Sequence, residues 1–218
     1  MMKGNMFIDF DDTILNTRPL TTQYMNQKYG INTTEDDWLD NDHFDSVVNS
    51  FRKDKIPVKP EDVYLSFGKE FFHTFDLKSF HFLENAIETI ANLSCHYSLY
   101  IITSRQKSEK KNIETILKKG GIYNCFSGIH CVWDFDYTKE EFRAIPKAQF
   151  IENVKSGINI GAIDDSKKEL ELIGNRVLVP TLFNPNKKEQ KGILEIARDW
   201  QDILNIFCVQ KKYWPPCH

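Results

Sequence analysis

Seven residues near the N-terminus constrain this chain more than any other stretch. Phe7-Ile8-Asp9-Phe10-Asp11-Asp12-Thr13 is an apolar run that breaks into three acids around a single Phe. The apolar part reads as a buried strand. The acids fall at its carboxyl end, the edge at which open α/β sheets bind ligands. Carboxylates crowded at a strand end repel one another and resist desolvation, a cost that a bound cation removes. Asp9 and Asp11, two residues apart, both project into the crevice beyond the strand. The segment therefore predicts a divalent cation beside a phosphate.

The rest of the chain supplies the sheet such a strand needs. Apolar runs at Tyr97–Ile102, Ile129–Trp133, Ile158–Ile163 and Arg176–Val179 read as further strands. They alternate with helical patterns at 107–119, 147–155, 166–173 and 192–207, which implies βαβ units and a parallel sheet. A helical block interrupts the alternation. Thr17 is placed to cap a helix with Pro19 in its first turn, ending at Gly30. Pro60-Glu61-Asp62 opens a second helix with Val63, Phe67, Phe71, Phe72 and Phe75 at helical spacing. A third spans about Phe80 to Leu93. The Phe stripe reads as the core of this block. The predicted organisation is an α/β, Rossmann-like, three-layer parallel-sheet core formed by 1–16 and 81–218, with a helical cap, 17–80, inserted after the first strand.

Bulk properties narrow the partners. The chain has 218 residues, 41% of them hydrophobic and 27% charged, with a net charge of −3. That balance draws in neither a nucleic acid polymer nor an anionic membrane over long range. No apolar run has transmembrane length. The Met6–Ile8 patch is too short for a signal-peptide core, so a cytoplasmic location is expected. The five cysteines are scattered and suit reduced thiols. Cys125, His130 and Cys131 cluster loosely, in a spacing that matches no familiar zinc pattern. No pattern in the chain fixes an oligomeric state.

Three predicted strand ends carry polar groups of a matching kind: Asp9 with Asp11, Thr103-Ser104-Arg105, and Asp164-Asp165. Lys147 stands between them at a helix start. Each has a plainer reading alone. Acids are common in turns, Asp164-Asp165-Ser166 and Thr103-Ser104 can cap helices, and Arg105 and Lys107 suit a solvated helix start. Parallel strands, however, deliver all these ends to one sheet edge.

The set resembles the haloacid dehalogenase superfamily of phosphohydrolases. That family has a strand followed by Asp-x-Asp-x-Thr, here Asp9, Asp11 and Thr13. A strand ending in Thr or Ser follows, here Ile101-Ile102-Thr103, then a lone Lys, then an acidic pair after a strand, here Ile163-Asp164-Asp165. Lys147 is preferred over Lys155 for the third motif because it begins the helix leading to the Asp164 strand. The resemblance implies a HAD-like fold and an aspartyl-phosphate mechanism, with Asp9 as nucleophile and Asp11 as general acid and base. It also implies Mg²⁺ held by Asp9, the Asp11 carbonyl, Asp164 and Asp165. Thr103, Ser104, Lys147 and the main-chain N–H groups around Asp12 would hold the phosphoryl oxygens.

The chain further resembles the 5′(3′)-deoxyribonucleotidases. Asp11-Asp12-Thr13-Ile14-Leu15-Asn16, Phe71-Phe72, Thr103-Ser104-Arg105 and the Trp-centred segment Arg198–Leu204 carry that likeness. It implies a nucleoside monophosphate substrate. From the residues themselves, Arg105 and Lys107 are candidates for a phosphate contact and Trp38, Phe44 and Tyr64 for stacking on a base, while the stretch 31–60 matches nothing in that branch and leaves the substrate open. The expectation is a Mg²⁺-dependent phosphomonoesterase acting on (deoxy)nucleoside monophosphates. A phosphatase of another small ester such as a sugar phosphate, and a non-catalytic metal- or phosphate-binding domain, are the alternatives.

Overall fold

The computed structural model describes residues 3–35, 63, 66–67, 70–71, 73–136, 141–154, 157–184 and 195–209. The chain divides into two units, one of Met1–Leu15 with Phe82–His218 and one of Asn16–His81.

The larger unit is built on one sheet. Its strands are β1 (Gly4–Ile8), β2 (Tyr97–Gln106), β3 (Phe126–Asp136), β4 (Glu141–Ala144), β5 (Asn159–Asp164), β6 (Val179–Phe183) and β7 (Glu195–Ala197). They lie in the order β4-β3-β2-β1-β5-β6-β7. Six are parallel, and β4 pairs antiparallel with β3 at one edge. Met6, Phe7 and Ile8 of β1 are all buried. A central strand covered on both faces requires such a continuous apolar run.

Helices cover both faces. In this unit they are α2 (Ala86–His96), α3 (Lys110–Lys119), α4 (Lys147–Asn153), α5 (Lys167–Ile173) and α6 (Trp200–Leu204), with α1 (Arg18–Tyr29) in the smaller unit. On one face Phe7, Ile102, Val132, Ala162 and Leu182 pack against Ala148 and Ile151 of α4 and Leu170 and Ile173 of α5. Gly161 points the opposite way from Ala162, as strand alternation demands. A Cβ at Gly161 would lie 2.7 Å from the Phe207 ring, so the chain just after α6 packs directly on the β5 backbone. The Tyr97 hydroxyl donates to the Phe207 carbonyl at 2.9 Å, and the Thr89 hydroxyl of α2 donates to the Trp200 carbonyl at 3.3 Å.

Several elements differ from the sequence expectation. Where a helix is expected over 192–207, the described residues from Glu195 onward form a strand, β7, followed by α6. Ile196 and Ala197 pair with Leu182 and Phe183. The Asp199 carboxylate accepts from the Asp202 N–H at 2.8 Å and starts the helix there. The helix expected from Phe80 begins at Ala86, behind Asn85 in the left-handed region at φ 62°. The strand expected over 176–179 begins at Val179, because Gly174–Arg176 form a 3₁₀ turn.

In the smaller unit, α1 ends at Gly30, whose φ of 65° suits a residue without a Cβ. Thr17 occupies the N-cap position but makes no side-chain capping bond. The Asn26 side chain fixes the exit: its amide donates to the Thr33 carbonyl at 2.8 Å, and its Oδ1 accepts from the Thr33 N–H at 3.0 Å. Residues 63, 66–67, 70–71 and 73–74 are helical. Phe67 and Phe71 stack at 4.4 Å, and Tyr24, Phe75 and Phe80 meet Phe71 edge-on. The Phe stripe is thus an apolar cluster of this unit. No helix among the described residues is long and apolar enough to cross a membrane.

Candidate active site

The site grows from the register of two neighbouring strands. Ile8 of β1 pairs with Ile163 of β5, and the next residues along are Asp9 and Asp164. The Asp9 N–H continues the ladder, donating to the Ile163 carbonyl at 2.9 Å. Parallel neighbours lie about 4.8 Å apart, so both carboxylates emerge side by side at the carboxyl edge. Asp164 Oδ1 accepts from the Ser166 N–H at 2.9 Å. The Ser166 hydroxyl in turn accepts from the Glu169 N–H and caps α5. Asp164-Asp165-Ser166 is therefore a helix start and part of an acidic cluster together.

Lys147 is the first residue of α4 and only 5% exposed. Its Nζ donates to Asp9 Oδ1 and to Asp164 Oδ2, each at 2.7 Å. Burial raises the Asp9 carboxyl well above the usual range, against the pull of Lys147. Burial likewise pushes Asp164 up to about 6. For Lys147, burial works against the charged form, but the two carboxylates outweigh it and hold the proton firmly. Asp9, Asp164 and Asp165 each offer an oxygen within 4.8 Å of the others. An oxygen-only donor set of that size suits a hard divalent cation, so the residues fit magnesium. Cys125, His130 and Cys131 form no such ligand group among the described residues.

The second acid of the N-terminal segment faces a different cation. Arg105 Nε donates to Asp11 Oδ2 at 2.8 Å and Arg105 Nη2 to Asp11 Oδ1 at 2.7 Å. Strand β2 runs past Thr103 to Gln106, so Arg105 stays on the sheet instead of starting a helix. Its N–H donates to Thr103 Oγ1 at 3.2 Å, and both residues are buried. Sequence reasoning assigned Arg105 to the substrate and missed this pairing. The two-residue step from Thr103 keeps both side chains on one side of an extended strand, but nothing local in the sequence shows that the strand runs on past Ile102.

The turn after β1 aims these groups. Asp12 is buried with φ 52°, a left-handed conformation that Asp tolerates. The Ile14 and Leu15 N–H groups both donate to the Phe10 carbonyl at 3.0 Å. The Thr13 carbonyl accepts from the Trp200 indole at 2.8 Å. Ser104 is half-buried. Lys107 lies out on the surface, 56% exposed, and pairs with Asp134 at 2.8 Å. Trp38, Phe44 and Tyr64 lie outside the described residues.

The order and edge-on convergence of these groups agree with a family-wide comparison. The haloacid dehalogenase-like hydrolase family matches residues 6–169, more than half of the chain and all four motifs. The chain belongs to the haloacid dehalogenase-like hydrolases. No curated protein matches the sequence. Solved structures share the fold of this haloacid dehalogenase-like hydrolase at low identity. The magnesium-bound HAD-hydrolase YfnB from Bacillus subtilis is 17% identical with a TM-score of 0.59, over 96% of this chain and 100% of its own. The haloacid dehalogenase-like family protein SP0104 from Streptococcus pneumoniae is 17% identical with a TM-score of 0.63, over 94% and 98%. A HAD phosphatase from Thermococcus onnurineus is 18% identical with a TM-score of 0.56, over 94% and 97%.

Proposed function

We propose that this hydrolase is a Mg²⁺-dependent phosphomonoesterase that works through an aspartyl phosphate on Asp9, with nucleoside monophosphates as its substrates. The observation that carries the reading is the buried Asp9–Lys147–Asp164 bridge, with both bonds at 2.7 Å, beside a second acid held separately.

An Asp9 oxygen attacks phosphorus as the bond to the leaving oxygen breaks. Asp11 gives that oxygen its proton, and the alcohol departs. Water then attacks phosphorus, Asp11 takes its proton, and the bond to Asp9 breaks. Inorganic phosphate leaves, Asp9 is again a free carboxylate, and Asp11 again carries the proton with which it began the cycle. Lys147 has three N–H donors and uses two on Asp9 and Asp164, so one remains to meet a phosphoryl oxygen. Thr103 Oγ1 accepts from Arg105, which leaves its own hydroxyl proton for the same group. Magnesium, held by Asp9, the Asp11 carbonyl and Asp164 with Asp165 alongside, supplies neutralising charge for the phosphoryl group.

The nucleotide preference rests on the sequence likeness to the deoxyribonucleotidases in Asp11–Asn16, Thr103–Arg105 and Arg198–Leu204. In this reading residues 17–80 are the helical cap domain. Phosphate release is measured with Mg²⁺ over deoxy- and ribonucleoside monophosphates and sugar phosphates, with Asp9→Asn as control. Preference for nucleotides is the expected result. Preference for sugar phosphates overturns the substrate class. No release from any phosphomonoester overturns the enzymatic reading and leaves a binding domain.

A further inference from the structure

We infer that Arg105 is a positioning residue for Asp11, fixing the direction of the carboxylate that serves the leaving oxygen. The inference rests on the phosphatase reading and deepens it. Asp9 and Asp11 belong to one short segment, yet each is given its own cation. Asp9 meets the ammonium of Lys147, a point charge that it shares with Asp164. Asp11 meets a planar guanidinium, which binds both of its oxygens at once, at 2.8 and 2.7 Å. A fork of this kind sets the orientation of a carboxylate as well as its place, which an ammonium cannot do.

The fork itself is anchored. Arg105 is 6% exposed and lies within β2, with its N–H on the Thr103 hydroxyl. Asp11 lies outside the sheet, where its backbone makes an isolated bridge to Leu15. It follows the end of β1, precedes a residue in the left-handed region, and keeps a side chain 22% exposed. Without Arg105 its carboxylate is free to turn toward water. The arrangement divides the labour of two neighbouring acids: Lys147 holds Asp9 where phosphorus is attacked, and Arg105 holds Asp11 where the leaving group departs.

The test compares kcat/KM for p-nitrophenyl phosphate, whose leaving group needs little protonation, with alkyl monophosphates, a nucleoside 5′-monophosphate and a sugar phosphate among them. This ratio stops at departure of the leaving group, so breakdown of the phosphoenzyme does not enter it. Arg105→Met is expected to lower it roughly 100-fold for the alkyl ester that the unmodified protein hydrolyses and by less than about 5-fold for the aryl ester. Arg105→Lys, which keeps the charge and loses the fork, is expected to fall between, and it serves as the second variant should Arg105→Met fail to fold. In an Asp11→Asn background, changing Arg105 is expected to add no further alkyl-selective loss. Equal losses on both esters, or losses that simply multiply with those of Asp11→Asn, overturn the inference while leaving the phosphatase intact. An unmodified protein inactive on aryl and alkyl esters alike removes the phosphatase reading and this inference together.

Discussion

Lys147 donates to the Asp9 carboxylate at 2.7 Å across 138 residues of sequence, with both side chains buried. The bond joins the start of α4 to the end of β1, and the same ammonium also reaches Asp164. Breaking a buried ion pair by deleting one partner costs about 3–5 kcal/mol, because the other charge is left without compensation. Lys147→Met leaves two carboxylates facing each other. It is expected to lose that much stability in urea unfolding at neutral pH, and to lose phosphatase turnover as well. A variant that unfolds at the same urea concentration as the unmodified protein contradicts the bridge.

The acidic cluster leads to a second prediction, independent of catalysis. Asp9, Asp164 and Asp165 bring oxygens within 4.8 Å of one another, and ligands that bind only the folded state raise its melting temperature. Mg²⁺ is expected to raise the melting temperature of the unmodified protein, and chelation to reverse the effect. Asp164→Asn removes one charged ligand and is expected to abolish most of the shift. Differential scanning fluorimetry with and without Mg²⁺ reads this directly. An unchanged shift in Asp164→Asn moves the cation elsewhere.

How much of this was legible in the sequence follows from where the physics is local. Asp9 and Asp164 each end an apolar run, so their strands and shared edge can be read from composition alone. Lys147 was readable because a helix start and a strand end face the same edge in a βαβ unit. The Arg105–Asp11 pairing was not, because nothing local distinguishes a strand continued to Gln106 from a solvated helix start after Ile102. Strand β7 was hidden for a related reason. Glu195-Ile196-Ala197 has ordinary helix formers, and only pairing with Leu182 and Phe183 makes it extended. The Phe67, Phe71 and Phe75 cluster declared itself by its spacing, whereas Trp38 and Phe44 carried no pattern that fixes a role.

Trp200 ties α6 to the turn that carries the acids. Its ring is fully buried, and its indole N–H donates to the Thr13 carbonyl at 2.8 Å. Trp200→Phe keeps most of the apolar volume and removes the donor, leaving a buried carbonyl unpaired at a cost of about 1–3 kcal/mol. Thr13 follows Asp11 and Asp12 directly, so the loss is expected to appear in kcat as well as in urea stability. An effect on stability alone restricts Trp200 to the core.

The acid side of the stability profile is expected to depend on His130. This residue of β3 is half-buried, with its ring 3.9 Å from that of Phe150 and 6.2 Å from that of Tyr100. Burial, and then the nearby Lys110 charge, lower its pKa below the ordinary 6.5. The unfolded chain therefore binds a proton at His130 more readily than the folded one does. Stability from the neutral ring is fully present above about pH 6.5 and is lost as pH falls through the lower folded value, where the loss levels off. His130→Gln removes the titration while keeping a polar side chain of similar reach. Melting temperatures of the two proteins measured from pH 5 to 8 are expected to differ most above pH 6.5, in favour of the unmodified protein, and to converge on acidification. A gap that widens toward acid pH reverses the sign and shows that the folded state holds the proton of His130 instead of repelling it.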